Sequence, residues 1–164
     1  MKLKDRIIAM FSDDYFLLTA GSYEKFNTMT CSWGAFGHLW NKPITCVFVR
    51  PERYTYQFME SSELFTLSFF NHIHREKLEF LGSCSGRDFD KVALSGLTPI
   101  KFEKTHVYFA EAKMVFVCRK LYSQDLLKKN FIDQKICDSI YPHNDFHRMY
   151  VGGIEKLLVA DNLD

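Results

Sequence analysis

The chain has 164 residues, of which 47% are hydrophobic and 16% aromatic, and its 21 basic and 20 acidic residues leave a formal net charge of +1. This length suits one compact domain with an ample core, so we expect a single domain over residues 1–164. Interspersed charges of both signs argue against nucleic acid or an anionic membrane surface as the partner, and no apolar run reaches membrane-spanning length.

The cysteine pattern indicates a reducing compartment. The five cysteines are Cys31, Cys46, Cys84, Cys118 and Cys137, without a CxxC motif. An odd number without paired spacing is typical of free thiols rather than a disulfide framework. Acidic residues at 13–14 interrupt the N-terminal apolar stretch before a signal-peptide core could form. We therefore expect a cytoplasmic protein.

The N-terminal part of the chain predicts a helix and a pair of strands. Residues 3–11 predict a short amphipathic helix, and residues 15–19 predict a strand that turns back to pair with the next one. Residues 27–33 alternate strictly, which predicts a strand with hydroxyls on one face and a core face on the other. The hydroxyl face carries Thr28, Thr30 and Ser32, and the core face carries Met29, Cys31 and Trp33. Gly34 and Gly37 are then expected to loosen the chain.

An apolar strand at 44–49 ends abruptly in charged sequence. The run is rich in β-branched and aromatic residues, which is typical of a fully buried strand. It is followed by RPERYT and by Phe58 and Met59, which suggest one face of a short helix. The first backbone amides of a helix lack intrahelical acceptors and attract an anion. Arginine can donate paired, charge-assisted hydrogen bonds to phosphate oxygens. Arg50 and Arg53 therefore predict an anion site, with ordinary solvated charges as the alternative.

The middle of the chain predicts a strand, a helix and a charged loop. Residues 64–70 alternate between large apolar residues and hydroxyls, as in a strand. From His72 the pattern becomes helical, and Gly82 is placed as the helix stop. The loop at 85–91 carries charges of both signs, and its plain interpretation is a capped turn into a short helix.

The C-terminal part predicts two strands around a helix. Residues 107–121 predict one long strand or a hairpin arm. Asn130 is placed to cap a helix in which isoleucines recur every four residues, and Pro142 ends it. Residues 148–159 predict a final strand in which Gly152 and Gly153 suggest a bulge or the close approach of another backbone.

Several separated motifs of this chain resemble one known family. They are NTMTCSWG, LWNKP, RPERYTY, FTLSFF and SGRDFDK. Together they are similar to the flavin reductase-like, FMN-binding split-barrel family, particularly its flavoredoxin-like branch, over roughly residues 15–160. The resemblance implies a mainly β (α+β) fold, a six-stranded antiparallel Greek-key split β-barrel with a few flanking helices. It also implies tightly bound FMN and a homodimer whose interface helps to form the flavin site.

This resemblance implies an FMN-binding flavoprotein, either an NAD(P)H-dependent flavin reductase or a flavoredoxin-like electron carrier. NADH or NADPH is the expected donor, and free flavin or a redox partner protein is the expected acceptor. The flavin would do the chemistry, so no general acid or base is assigned. The alternative is a non-catalytic protein that binds flavin or another small ligand on the same barrel. Pyridoxine phosphate oxidation on a related barrel is disfavoured, because the motifs match the flavoredoxin-like branch better.

The resemblance also assigns candidate residues to the flavin. Arg50, Arg53 and Thr55 are expected to bind its phosphate, with Tyr54 among the aromatic residues around the site. The flavin ring and ribityl chain are expected to lie against Thr28, Met29, Thr30, Cys31, Ser32 and Trp33. In the matching loop, Gly86, Arg87, Asp88 and Lys91 are candidates for contact with cofactor or substrate.

Two other kinds of site are disfavoured. The pairs His72 with His74 and His143 with His147 could suggest a metal, but no third ligand is fixed nearby by spacing. They are interpreted as ordinary surface or hydrogen-bonded histidines, and no metal is expected. Cys31 is interpreted as a core residue rather than a nucleophile, because no local signature accompanies it.

Overall fold

The structure is a computed structural model, and it describes residues 9–103 and 106–160. The helix predicted at 3–11 lies mostly outside the described residues, and its described end, with residues 9–12, is helical. Four further helices, nine strands and two short 3-10 helices follow in the described part of the chain.

The strands are β1 (Phe16–Ser22), β2 (Lys25–Cys31), β3 (Gly34–Leu39), β4 (Lys42–Val49), β5 (Leu64–Phe69), β6 (Pro99–Phe102), β7 (His106–Phe109), β8 (Met114–Asp125) and β9 (Arg148–Val159). The helices are α1 (Tyr54–Ser61), α2 (Arg75–Ser83), α3 (Lys91–Ser95) and α4 (Gln134–Ile140), and the 3-10 helices are His72–His74 and Lys128–Asn130.

The described strands form a seven-stranded antiparallel sheet and a separate two-stranded hairpin. The order of the large sheet is β2-β1-β5-β8-β9-β4-β3, and the hairpin pairs β6 with β7. The large sheet has one strand more than the six expected, and the glycine-containing β3 was not predicted as a strand. The expectation that Gly34 and Gly37 loosen the chain is wrong, because this segment pairs along its whole length with β4.

The two outermost strands of the large sheet are consecutive in sequence. Only Ser32 and Trp33 separate the end of β2 from the start of β3. The two edges of the sheet must therefore approach each other at this link, which curls the sheet. Phe36 of β3 accordingly packs on Phe116 of β8, with ring centroids 4.4 Å apart. No pairing between β2 and β3 is present among residues 9–103 and 106–160.

The curled sheet encloses the main core, and α2 covers a second one. Alternation along β1 directs Leu18 into the main cluster and Leu17 into the second. Both side chains are fully buried. β1 is thus buried on both faces, which explains its continuous apolar sequence. Besides Phe16 and Leu18 of β1, the main cluster contains residues from five other strands and α1, including Val47, Met59, Phe65, Leu67, Phe69 and Tyr150.

Two predicted glycine roles are changed by the packing. Gly82 does not stop its helix, which continues to Ser83. A Cβ at Gly82 would lie 3.1 Å from Cβ of Thr30, so this glycine lets α2 lie close against β2. At Gly152 a Cβ would lie 2.5 Å from the ring of Phe65. The predicted bulge is confirmed, because the register of β8 and β9 shifts opposite the glycine pair, but the close neighbour is a side chain rather than a backbone.

The C-terminal elements differ from prediction at their boundaries. The predicted strand at 107–121 is divided by a turn into β7 and β8. Asn130 lies in a 3-10 helix, and α4 is instead capped by Asp133, whose side chain accepts from the amide of Lys135 at 3.0 Å. The end of this helix before Pro142 is confirmed.

Candidate functional site

The start of α1 is the part of the molecule best prepared for an anion. β4 ends at Val49, and a turn closed by the bond from the Arg53 amide to the Arg50 carbonyl, 3.0 Å long, leads into the helix. Arg53 is the N-cap residue, with extended φ and ψ of −67° and 133°, and its side chain caps no amide. The first turn has no acidic residue. The amides of Tyr54 and Thr55 have no acceptor among the described residues, so this terminus attracts negative charge.

Two adjoining cavities flank this terminus, and we call them together the Arg53 cleft. Their volumes are about 220 and 250 Å³, and both are lined by Met29, Thr30 and Arg53. The first cavity also contacts Tyr54, Thr55, Gly86, Arg87 and Lys91, and the second contacts Cys31, Ser32, Trp33, Arg50 and His147. The fold thus brings together every predicted site residue except Thr28 and Asp88.

The two arginines at the junction have different surroundings. The Arg53 guanidinium is exposed and makes no hydrogen bond or ion pair with another described residue. The Arg50 guanidinium donates from Nη2 to the carbonyl of Ile140 at 3.0 Å and forms an ion pair with Asp145. It also lies over the ring of Tyr141, 5.3 Å from the centroid. Arg53 is therefore free for a ligand, and Arg50 is already bound.

The predicted hydroxyl face of β2 is used largely inside the protein. The Thr28 hydroxyl is fully buried; it accepts from Thr19 at 2.9 Å and donates to the Leu18 carbonyl at 3.3 Å. The Thr30 hydroxyl donates to the Leu78 carbonyl of α2 at 2.5 Å. Both hydroxyls hold β2 to its neighbours, and Thr28 does not line the cleft. Ser32, in the link to β3, lines it without such a bond in the described chain.

The opposite face of β2 gives the cleft its apolar wall. Met29 is half-buried, and Trp33, beyond the strand, is 45% exposed. Cys31 is buried, and burial raises the pKa of its thiol to about 12. The thiol therefore stays protonated at neutral pH, which agrees with its interpretation as a core residue.

The loop after α2 is fitted tightly to the start of α1. A Cβ at Gly86 would lie 2.2 Å from Oδ1 of Asn27, so only glycine fits here without movement. The Asn27 amide donates to the Thr55 hydroxyl at 2.8 Å. Arg87 donates to the Glu52 carbonyl at 2.9 Å and stacks over the ring of Tyr54. These contacts fix the loop against the helix terminus.

Lys91 and Asp88, two other charged residues of the loop, lie in different environments. The Lys91 ammonium is buried and donates to the carbonyls of Leu81 at 2.7 Å and Cys84 at 3.1 Å. It satisfies carbonyls at the C-terminal end of α2, and burial lowers its pKa. Asp88 is exposed and lies outside the cleft.

The family comparison classifies the chain as a whole. The model of the flavin reductase-like domain matches residues 9–164. The chain belongs to the flavin reductase-like family. A search of curated proteins finds no match.

Solved structures show the same fold as this flavin reductase-like chain. An FMN-binding protein from Thermus thermophilus with bound p-hydroxybenzaldehyde is 19% identical, with a TM-score of 0.70 over 91% of this chain and 73% of that one. Flavoredoxin from Methanosarcina acetivorans is 22% identical, with a TM-score of 0.69 over 90% and 69%. Nitrilotriacetate monooxygenase component B from Bacillus cereus is 15% identical, with a TM-score of 0.71 over 100% and 80%. At these identities the likeness establishes the fold.

His147 is a residue of the cleft of this flavin reductase-like chain that the sequence did not assign to the flavin site. It is 9% exposed, its ring lies 5.0 Å from that of Trp33, and its Nδ1 shares a 2.8 Å hydrogen bond with the Tyr141 hydroxyl. Burial, and then the positive charge of Arg50, lower its pKa to about 4. The imidazole is therefore neutral at physiological pH. The spacing of His147 from His143 in the sequence did not predict a position in the cleft, because only the fold brings His147 next to Trp33.

The described residues contain no group of three or more histidine, cysteine, aspartate or glutamate side chains arranged to hold a metal ion. In the same part of the chain, no helix is both long enough and apolar enough to cross a membrane.

Proposed function

We propose that this chain binds FMN in the Arg53 cleft and transfers electrons from NADH or NADPH to free flavin or to a redox partner protein. The observation that carries the proposal is the uncapped start of α1 with the unpaired Arg53 beside it. A helix N-terminus whose first amides lack acceptors, with an unpaired guanidinium beside it, forms a binding site for a phosphate group.

The residues around this terminus fit a flavin phosphate. Arg53 and the amides of Tyr54 and Thr55 would hold its oxygens, each charged hydrogen bond contributing about 1.5–3 kcal/mol. Gly86 lets the loop lie close beside them, because a Cβ here would meet Oδ1 of Asn27 at 2.2 Å. The Thr55 hydroxyl oxygen accepts a hydrogen bond from the side-chain amide of Asn27, so the Thr55 hydroxyl proton is free to be donated.

The other end of the cleft fits a planar ring. Met29 and Trp33 offer apolar and aromatic surface, and the neutral His147 has its Nε2 free of hydrogen bonds to described residues. When bound, FMN would supply the hydride and single-electron chemistry, and the chain would supply binding, orientation and exclusion of water. No charged acid or base is needed on this wall.

The relatives support this function without fixing its details. The Thermus protein is described as FMN-binding, and the Methanosarcina protein as a flavoredoxin. A monooxygenase component shares the fold as well. Relatives with such different roles share one fold. A measurement on this protein is therefore needed to distinguish a reductase from an electron carrier.

The test is an anaerobic visible spectrum of the protein with FMN, before and after addition of NADH and then NADPH. A perturbed flavin spectrum followed by rapid bleaching supports a nicotinamide-dependent reductase. Bound flavin that stays oxidised moves the assignment to an electron carrier. Absence of binding contradicts the proposal and leaves another small ligand as the occupant of the cleft.

We further infer that the chain forms a homodimer, and the apolar surface beside the β3–β4 turn supports this. Trp40 is 54% exposed and Tyr122 is 43% exposed, with ring centroids 6.2 Å apart. Exposed aromatic clusters of this kind mark interaction surfaces. Light scattering should give the mass of two chains, and a Trp40→Ser variant should shift it towards one.

A further inference from the structure

We propose that Arg50 is a positioning residue that fixes one wall of the cleft, and that Arg53, of the two arginines at the junction, provides the contact to the ligand's phosphate. This inference rests on the proposed function and divides it between the two arginines. The predicted roles of Arg50 and Arg53 were the same. In the structure the Arg50 guanidinium has partners, whereas that of Arg53 has none among the described residues.

Arg50 holds a segment that comes from far along the chain. We call residues 140–147 the Tyr141 strap. Arg50 contacts three residues of this strap, through the carbonyl of Ile140, the ring of Tyr141 and the carboxylate of Asp145. Its side chain is 23% exposed. A guanidinium with three such contacts would have to break them to reach a phosphate, so its present geometry favours the strap.

The strap in turn places His147 in the cleft. The Tyr141 hydroxyl is hydrogen-bonded to Nδ1 of His147, and the rings of Tyr141 and His147 meet edge to face, 5.5 Å apart. The amide of Leu126 donates to the His147 carbonyl at 2.9 Å and fixes the end of the strap to β8. Arg50 thus acts on the cleft through Tyr141 and His147.

The charged groups around His147 make it a reporter of this arrangement. Burial, and then Arg50 and Arg53, lower its pKa, Glu52 raises it, and Tyr141 occupies its Nδ1. Removing Arg50 deletes one positive charge and releases the strap, and both changes make protonation easier.

The experiment separates binding of the phosphate from positioning. Dissociation constants for FMN and for riboflavin, which lacks the phosphate, are measured by flavin fluorescence, and their ratio reports the phosphate contacts. The variants are Arg50→Gln, Arg53→Gln and Asp145→Asn. Arg119→Gln is the matched control, because this exposed arginine of β8 lies away from the cleft.

Arg53→Gln should reduce the preference for FMN over riboflavin about tenfold or more, as expected for loss of a charged hydrogen bond. Arg50→Gln should weaken both ligands together and leave the preference within about twofold of wild type. Asp145→Asn should also leave it unchanged. If Arg50 bound phosphate, Arg50→Gln would lower the preference as Arg53→Gln does, and Asp145→Asn, which frees Arg50, would raise it. Either result overturns the proposal.

A second measurement needs no flavin. The pKa of His147, followed by NMR in the ligand-free protein, should rise by about one pH unit in Arg50→Gln and stay unchanged in Arg119→Gln. An unchanged His147 pKa in Arg50→Gln contradicts the positioning role even if no flavin binds. If wild type binds neither flavin while the His147 pKa rises as expected, the proposed function fails and the link from Arg50 to His147 stands.

Discussion

The two ends of α1 are built in opposite ways. At its N-terminus, the amides of Tyr54 and Thr55 and the guanidinium of Arg53 have no partners in the described structure. At its C-terminus, the Lys120 ammonium donates to the carbonyls of Met59 and Glu60. One end is left open, and the other has carbonyls that are held by Lys120. A helix held firmly at one end can present unsatisfied amides at the other in a fixed direction, which is what a preorganised anion site requires.

A network of charges completes the bonded end. Arg148 donates to both carboxylate oxygens of Asp125, at 2.6 and 3.0 Å, and to Glu60 at 2.8 Å. The Tyr150 hydroxyl donates to the other oxygen of Glu60 at 2.6 Å. These bonds tie the last turn of α1 to β8 and β9. Four measurements test this difference between the two ends of α1.

The largest effect is expected from acid acting on the open end. His147 faces Arg53 across the cleft, and its pKa is about 4 in the folded protein against 6.5 ordinarily. The unfolded chain therefore takes up a proton first, so stability present above pH 6.5 is lost as the pH falls towards 4. Between pH 7 and 4.5 the loss from this residue should be about 2–3 kcal/mol. Urea unfolding at both pH values measures it, and His147→Gln should remove this part of the loss. Equal losses in the two proteins would refute the assignment to His147.

At the bonded end, Arg148→Ala should lower the free energy of unfolding by about 2 kcal/mol, because it leaves Asp125 and Glu60 without their shared cation. Arg119→Ala is the matched control. Arg119 also pairs with two carboxylates, Glu63 and Glu155, but it is 42% exposed and neither partner belongs to α1. Its loss should cost less than that of Arg148. Similar costs for the two variants in urea unfolding would show that the network adds nothing specific to the helix end.

Tyr150→Phe should cost about 1 kcal/mol, because it removes one hydrogen bond to Glu60 and keeps the fully buried ring. The control is Tyr122→Phe, whose exposed hydroxyl donates to Gln124 at 2.7 Å and should contribute little. Thermal unfolding of both variants compares them. A cost for Tyr122→Phe as large as that for Tyr150→Phe would remove the special position of Tyr150.

The smallest effect should have the opposite sign. Arg53→Ser places a capping hydroxyl at the N-cap, where the backbone is already extended, and should raise stability by about 0.5–1 kcal/mol while weakening FMN binding. Arg53→Gln removes the same charge without adding a cap and should show no gain. If Arg53→Ser is no more stable than Arg53→Gln, the amides of α1 are not open to capping.

Local pattern was enough to predict most strands and the strand-to-helix junction that follows Val49. The apolar run at 44–49 and the alternation of Phe65, Leu67 and Phe69 correspond to β4 and β5, because burial on one or both faces is encoded residue by residue. The junction at Arg50 and Arg53 was placed correctly at the start of a helix. The resemblance to the family added the loop at Gly86, which does lie in the same cleft.

What the sequence could not reveal depends on contacts between distant residues. Arg50 and Ile140 are 90 positions apart, so nothing local distinguishes the bound arginine from the free one. Thr28 and Thr30 carry the predicted hydroxyls, but only the fold shows that Leu18 and Leu78 accept their protons. β3 was missed because its two glycines weaken the strand pattern, and pairing with β4 outweighs that local preference.

The position of β9 in the sheet has a consequence for how the protein is made. β9 lies between β8 and β4, and among the described strands it is the only one that joins the group β2-β1-β5-β8 to the pair β4-β3. Both groups precede it in sequence, so on the ribosome they are synthesised while the sheet is still in two unjoined parts. The nascent chain must keep the open edges of β8 and β4 from pairing with other chains until residues 148–159 emerge, because only this later stretch completes the sheet.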